Sequence, residues 1–359
     1  MDLVTIQRGE KAIELKGEIL VEAQNGDLML RACNGRIWMI EASEIVAQQK
    51  SAAEFTGLSA DEIEAELLQE FPEGFEIYQT RHYVICYSTS DAYAKWVGAL
   101  YERLHSAFTN FWSRRGFEIY DADTPQVVLI FDTRENYARY ANNELGTDPG
   151  GMVAYYNLEN NRVVMYDLTG ADAFNRENDR RHTTAQINTI LNQPYAAAMV
   201  ATIVHEATHQ LAFNCGLQTR FADWPFWVSE GLAMYFETPS LKSSRGWSGL
   251  GHVNRMRLVQ MRAYLSKRPA DSLTTLISDD KRFRDPELML DAYAEAWSLN
   301  YFLFHKHSKE LDAYLQAIGE KKPLFELSAE ERIADFKQHF GDDLQQLDEE
   351  FLNYIRSLK

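Results

Sequence analysis

Polar and apolar residues alternate in short runs over roughly the first fifty positions of this chain. The runs Glu18–Ala23, Leu28–Ala32 and Arg36–Glu41 are separated by Asn25-Gly26 and Asn34-Gly35, the dipeptides of tight hairpin turns. Residues 1–52 are therefore expected to form a small β module, a meander that is either a barrel or an open sheet. Ser59-Ala60-Asp61-Glu62 is a capping-box pattern, so residues 53–74 are read as a linker carrying a short acidic helix that Pro72 and Gly74 end. Strand and helix patterns then mix over residues 75–170. Tyr83–Tyr87 and Val127–Phe131 are β-branched and aromatic, as strands are. Between them, Ala94, Val97, Leu100, Leu104 and Phe108 recur at helical spacing within Asp91–Trp112. Met152–Tyr156 and Arg162–Tyr166, joined by a turn at Glu159-Asn160-Asn161, predict a hairpin.

Residues 171–359 read as mainly helical. A polar connection at 172–185 precedes an apolar, helix-forming run from Ala196 to Phe213, with Pro194 suited to its first turn. Ser240–Gly251, with Arg245, Trp247 and three glycines, reads as a surface connection or a lid. A second capping box, Ser328-Ala329-Glu330-Glu331, opens a late helix, and Gly341 separates it from Asp342–Leu358. The fold class expected is α+β, with a β module, an α+β subdomain and a helical subdomain in chain order.

Composition changes this picture little. At 359 residues, 45% hydrophobic and 25% charged, the chain has the make-up of a globular protein with two or three domains. Its net charge of −17, from 53 acidic and 36 basic residues, repels phosphate backbones and argues against nucleic acid as a partner. Cys33, Cys86 and Cys215 are scattered and odd in number, which is no disulfide framework. No apolar run approaches the ~20 residues of a membrane span. Met1–Glu10 lacks a signal-like apolar core, so the location expected is cytoplasmic if the chain is complete and secreted or periplasmic if a leader was trimmed. The β module carries no evident chemistry and is read as a packing module or as one that docks a partner.

The chemistry concentrates in His205-Glu206-Ala207-Thr208-His209, inside the Ala196–Phe213 helix. Four-residue spacing puts both imidazoles on one helical face, where they can share a metal ion with a carboxylate beside them. Chance would produce about 0.02 such matches in a chain of this composition. Val200, Ile203, Val204, Ala207 and Leu211 supply the apolar surface that would hold the helix rigid. A catalytic zinc ordinarily takes three protein ligands. The three-histidine extension fails here, because Ala212 and Cys215 stand where Gly and His are needed. Cys215 falls at the helix end and is a weak candidate. Glu230, in Trp224-Pro225-Phe226-Trp227-Val228-Ser229-Glu230-Gly231-Leu232-Ala233, opens a second helix after a stretch rich enough in turn residues to reverse the chain. It is either a ligand or a helix-start carboxylate.

With this motif and gap, the sequence resembles the gluzincin metallopeptidases, whose pattern is H-E-x-x-H followed by a glutamate at comparable distance. The resemblance implies His205, His209 and Glu230 as ligands of Zn2+, Glu206 as general base and a zincin-like domain over residues 75–359. It also implies a peptide or protein substrate. A fuller resemblance, over roughly residues 75 to 305, is to an uncharacterised bacterial family with a peptidase-MA-like domain. That family combines H-E-A-T-H-Q-L, P-x-W-x-S-E-G-L-A-x-Y-F-E and Y-A-x-A-W-x-L-x-x-F-L.

Two further residues follow from the same comparison. Glu237 returns to the face of Glu230 and is either a carboxylate that orients a ligand histidine or a surface charge; thermolysin-like enzymes carry their acid where this chain has Met234. Tyr293, ahead of the apolar stripe in Ala292–Leu303, is either the oxyanion donor of the aminopeptidase branch or a packed tyrosine. The G-x-M-E-N exopeptidase motif is missing, since Gly150-Gly151-Met152-Val153-Ala154 lacks the glutamate, which favours an endopeptidase. Met152–Tyr156 is either a strand that pairs with substrate or an ordinary hairpin arm. His82, His252, His305 and His307 are read as exposed or capping, with no competing constellation. A zinc-dependent endopeptidase is thus expected. Its rivals are a catalytically silent zinc-containing scaffold and a metal-dependent hydrolase of a non-peptide amide.

Overall fold

The computed structural model describes residues 1–71, 73–169, 184–191, 193, 196–238 and 250–359. Pro72, Pro194, residues 172–183 of the expected connection and residues 240–249 of the Ser240–Gly251 segment lie outside the described residues. The fold is α+β: an N-terminal antiparallel sheet, a second small sheet, and a mainly helical C-terminal part. The chain forms two compact units, residues 1–106 with 120–210 and residues 107–119 with 211–359.

In the first unit, β1 (Asp2–Arg8), β2 (Lys11–Glu22), β3 (Leu28–Ala32), β4 (Ile37–Ile40) and β5 (Ile45–Lys50) form one antiparallel sheet in the order β4-β3-β2-β1-β5. Of the two forms expected for this module, the structure has the open sheet, with β4 and β5 as its edges. Gly26 and Gly35 sit at φ 89° and 82°, left-handed values that cost a glycine nothing and explain both Asn-Gly pairs. Val4, Ile6, Leu15, Leu28, Leu30 and Ile40 form its core.

After α1 (Ala60–Glu70), whose Ser59–Glu62 capping box is formed in both directions, comes the second sheet. Its strands are β6 (Glu76–Gln79), β7 (Tyr83–Tyr87), β8 (Gln126–Phe131), β9 (Ala154–Asn157) and β10 (Arg162–Tyr166). They are ordered β6-β7-β8-β10-β9, parallel at the centre and antiparallel at both flanks. The helices α2 (Asp91–Arg114) and α3 (Arg134–Leu145) connect them. Strand alternation divides the packing. Val84, Cys86, Leu129, Phe131 and Val164 meet Ile63 and Leu67 of α1 and Tyr137 and Ala141 of α3. On α2, a Cβ at Gly98 would lie 2.9 Å from Tyr78 and 3.1 Å from Ile85, so glycine allows helix and sheet their close approach. Each large side chain buried here stabilises the unit by ~1.5–3 kcal/mol. The β module, read as a docking or packing element, packs on this same unit. The Ile37 N–H donates to the Glu159 carbonyl at 2.7 Å, and Leu58 to Cys33 at 2.8 Å.

The helices α4 (Thr184–Leu191) and α5 (Ala196–Asn214) follow, so the last two residues of the connection expected at 172–185 are helical. In the second unit lie α6 (Phe226–Phe236), α7 (Arg255–Tyr264), α8 (Ser272–Ser278), α9 (Lys281–Arg284), α10 (Met289–Lys306), α11 (Ser308–Gly319), α12 (Ala329–Phe340) and α13 (Leu344–Ser357). The Ser328–Glu331 capping box is formed, and Gly341 closes α12 at φ 93°. Buried charges are paired there. Glu295, fully buried on α10, accepts from Arg268 and Arg282 at 2.7 Å each, while Arg332 bridges Asp223 and Asp280. Such pairing is what a carboxylate in a dry interior requires.

Candidate metal-binding centre

The helix α5 is apolar nearly all round, and Val200, Ile203, Val204, Ala207 and Leu211 have no exposed surface, as the motif's context predicted. Packing alone would leave its rotation about its axis loosely set. Hydrogen bonds within the first unit fix it. The Tyr101 hydroxyl donates to the Ile203 carbonyl at 2.9 Å. The Gln210 amide donates to the backbone carbonyls of Val127 on β8 and Asn161 before β10, at 3.0 and 2.8 Å. Gln210 itself is fully buried, so these bonds satisfy an NH2 group that would otherwise be costly to bury.

With the helix so held, His205 and His209 bring their Nε2 atoms to 3.1 Å of each other, with the rings nearly perpendicular at 79°. Two nitrogens that close cannot both present bare lone pairs; a proton or a cation must lie between them. Between these histidines in sequence, Glu206 accepts the Tyr156 N–H at 2.9 Å. Tyr156 belongs to β9, the edge strand of the sheet, so its outward backbone donor positions one carboxylate oxygen. Burial, and then the Glu206 charge, push the Tyr137 phenol above its ordinary value. For Tyr101 burial dominates and nearby tyrosines add to it before Glu206 does.

Glu230 lies on α6 in the second unit, one turn into the helix. Next to it, Gly231 has a clear physical reason. A Cβ there would sit 1.8 Å from the Asn300 amide nitrogen and 2.9 Å from the Ala296 carbonyl, so α6 and α10 approach more closely than any side chain permits. Asn300 uses that space to donate to the Trp227 and Ala296 carbonyls at 2.8 and 2.9 Å.

Residues 199–325 match the model of a family described as a protein of unknown function (DUF1570). That span is similar to the family and includes all the residues singled out above from His205 to Tyr293; it is a little over a third of the chain. No curated protein matches the chain.

Glu237 is only 3% exposed, which overturns the reading of it as a surface charge. It stands just past the end of α6 and accepts from the Asn254 amide at 2.6 Å, with Arg257 at 3.6 Å. The Arg257 guanidinium in turn lies 5.6 Å over the Tyr293 ring, which meets Phe283 edge-on at 5.3 Å. Tyr293 occupies the second turn of α10 and is half-buried. Cys215 is buried and its thiol is pushed up to about 12 by burial, the opposite of what a metal-ligating thiolate needs.

Among the other histidines, His252 and His305 are exposed and His307 caps α10, as expected. His82 corrects the expectation. It is half-buried in the turn before β7, stacked on His105 at 3.7 Å, and groups with His105 and Asp121 as a second set of ligand atoms within 4.8 Å. The sequence neighbours of His82 give no sign of this, because its partners are 23 and 39 positions away. Burial first, and then His82, pull the His105 imidazole down to about 4. The sequence reading also missed Tyr156 and Gln210. Gln210 could have been noticed as a polar residue in an otherwise apolar helix face; the backbone donor of Tyr156 has no side-chain signature.

Proposed function

We propose that this chain is a zinc-dependent peptidase of the gluzincin type that cleaves within peptide chains. The observation carrying this reading is the convergence of the His205 and His209 Nε2 atoms to 3.1 Å on one helix, and the motif's spacing supplies Glu230 as the third donor. Two imidazoles and one carboxylate are the donor set of catalytic zinc, and the nitrogen separation suits two ligands of one tetrahedral ion. Zinc held there would supply Lewis-acid polarisation of the substrate carbonyl and make water acidic near neutral pH.

The protein's own residues supply the rest. Glu206 is held by the Tyr156 N–H at one oxygen, takes a proton from the attacking water and returns it to the departing amine. In this reading Tyr293 donates its hydroxyl to the oxygen that becomes negative. Arg257 over its ring favours that charge, and Glu237 keeps Arg257 in place. The edge position of β9 is what pairing with an extended peptide requires, which supports substrate binding by strand addition. Purified protein should contain zinc and cleave a casein-type substrate, with chelation stopping cleavage and zinc restoring it. Metal-replete protein that cleaves no peptide in a diverse library would sink the proposal and favour a silent scaffold or a non-peptide substrate.

A further inference from the structure

The second group of donors, His82, His105 and Asp121, lies wholly within the first unit and takes no part in the chemistry proposed above. Three different segments supply it: the turn before β7, the helix α2, and the loop between α2 and β8. On α2, Glu102 and His105 are three apart and share a face. Glu102 grips His82 twice, accepting its backbone N–H at 2.8 Å and facing its Nδ1 at 2.7 Å. A carboxylate can only accept, so Nδ1 carries the proton, and in the neutral ring Nε2 is left as a lone pair. That nitrogen is 3.7 Å from the Asp121 carboxylate, and the His105 Nε2 is 3.5 Å from the same oxygen.

The two Nε2 atoms and a carboxylate oxygen thus lie within 4.8 Å of one another, an arrangement that a cation among them would stabilise. The orienting carboxylate on the far nitrogen of His82 is also the arrangement that stands behind metal-bound histidines. We propose that His82, His105 and Asp121 bind one divalent transition-metal ion of the zinc class, with Glu102 as the residue that positions His82. Two imidazoles and one carboxylate suit such an ion and not magnesium or calcium, which take oxygen donors. The side chains of His82 and His105 are 14% and 7% exposed and that of Asp121 is 59%, so the site has a dry side and an open one through which an ion can enter. A ligand's lone pair lies in its ring plane, and the two rings are stacked within 13° of parallel. Binding therefore swings one ring out of the stack. Glu102 pins His82, so the ring that moves is that of His105.

The inference stands apart from the peptidase reading and is tested apart from it. Crystals of the full chain equilibrated with zinc chloride should give an anomalous peak at the zinc edge, within ~2.0–2.2 Å of both Nε2 atoms and an Asp121 oxygen. The His82–His105 stack should be opened. In solution, the exposed Asp121→Asn change should weaken zinc binding at this site at least tenfold without altering zinc at His205 and His209. His105→Asn should remove the peak. A featureless map at this point in saturating zinc would overturn the inference and leave a shared proton as the positive charge. So would a peak that persists unchanged in both variants.

Discussion

Two histidine clusters in this protein are built in opposite ways. His205 and His209 stand on one helix, one turn apart, and their rings meet nearly at right angles with Nε2 atoms 3.1 Å apart. His82 and His105 come from a turn and a different helix, and their rings stack at 3.7 Å. In the first cluster the helical repeat does most of the positioning, and the fold needs only to fix one rotation, through Tyr101 and Gln210. In the second, each donor is positioned by its own segment, and Glu102, which holds the His82 backbone and ring together, ties two of them. A site written into one helix survives local changes elsewhere, whereas an assembled one depends on every segment that builds it.

That contrast can be broken experimentally. The largest effect expected is from His209→Ala, which should reduce hydrolysis of a casein-type substrate to background and remove zinc from α5, as measured by metal analysis. Zinc at His82 and His105 should be untouched; its loss as well would show that the clusters are not separate. Next, Glu102→Gln should weaken zinc at the second cluster by about 10–100-fold in a calorimetric titration, the usual cost of losing an orienting carboxylate. Hydrolysis should stay at the wild-type rate, since Glu102 has no part in the first.

Stability changes come next in size. Gly231→Ala forces a methyl into the contact with Asn300 and Ala296 and should cost about 1–3 kcal/mol in denaturant unfolding. Because Glu230 is the adjacent residue, zinc affinity should fall with it, and an unchanged affinity would separate the Glu230 ligand from the α6–α10 contact. Ser328→Ala removes the hydroxyl that caps α12 and should cost ~1 kcal/mol while changing neither metal site.

What the sequence disclosed follows the same division. Both capping boxes, the strand Tyr83–Tyr87 and the helix of residues 196–214 were readable because their signals lie within a few residues of the atoms that use them. The helix α3 was not singled out, since only Tyr137 and Ala141 of its twelve residues are buried and no apolar stripe forms. In the candidate site, the two histidines and Glu206 were legible by spacing, and Glu230 by the pattern around it. The Gln210 anchor joins residues 49 and 83 positions apart, and the Gly231–Asn300 contact is equally nonlocal, so neither has a local signature. The burial of Glu237, which removes one of its two readings, had no local signature for the same reason: Asn254, which donates to it, lies 17 residues on.

The central claim is that Glu206 moves the proton in a zinc-dependent peptide hydrolysis. Glu206→Gln keeps the shape of the side chain and its contact with the Tyr156 N–H while removing its basicity. Zinc content and cleavage of a casein-type substrate should be measured on the same preparation. We predict zinc equal to wild type and hydrolysis lower by about 10²–10⁴-fold, the range for loss of a general base. Zinc-loaded Glu206→Gln protein that cleaves at the wild-type rate would contradict the account.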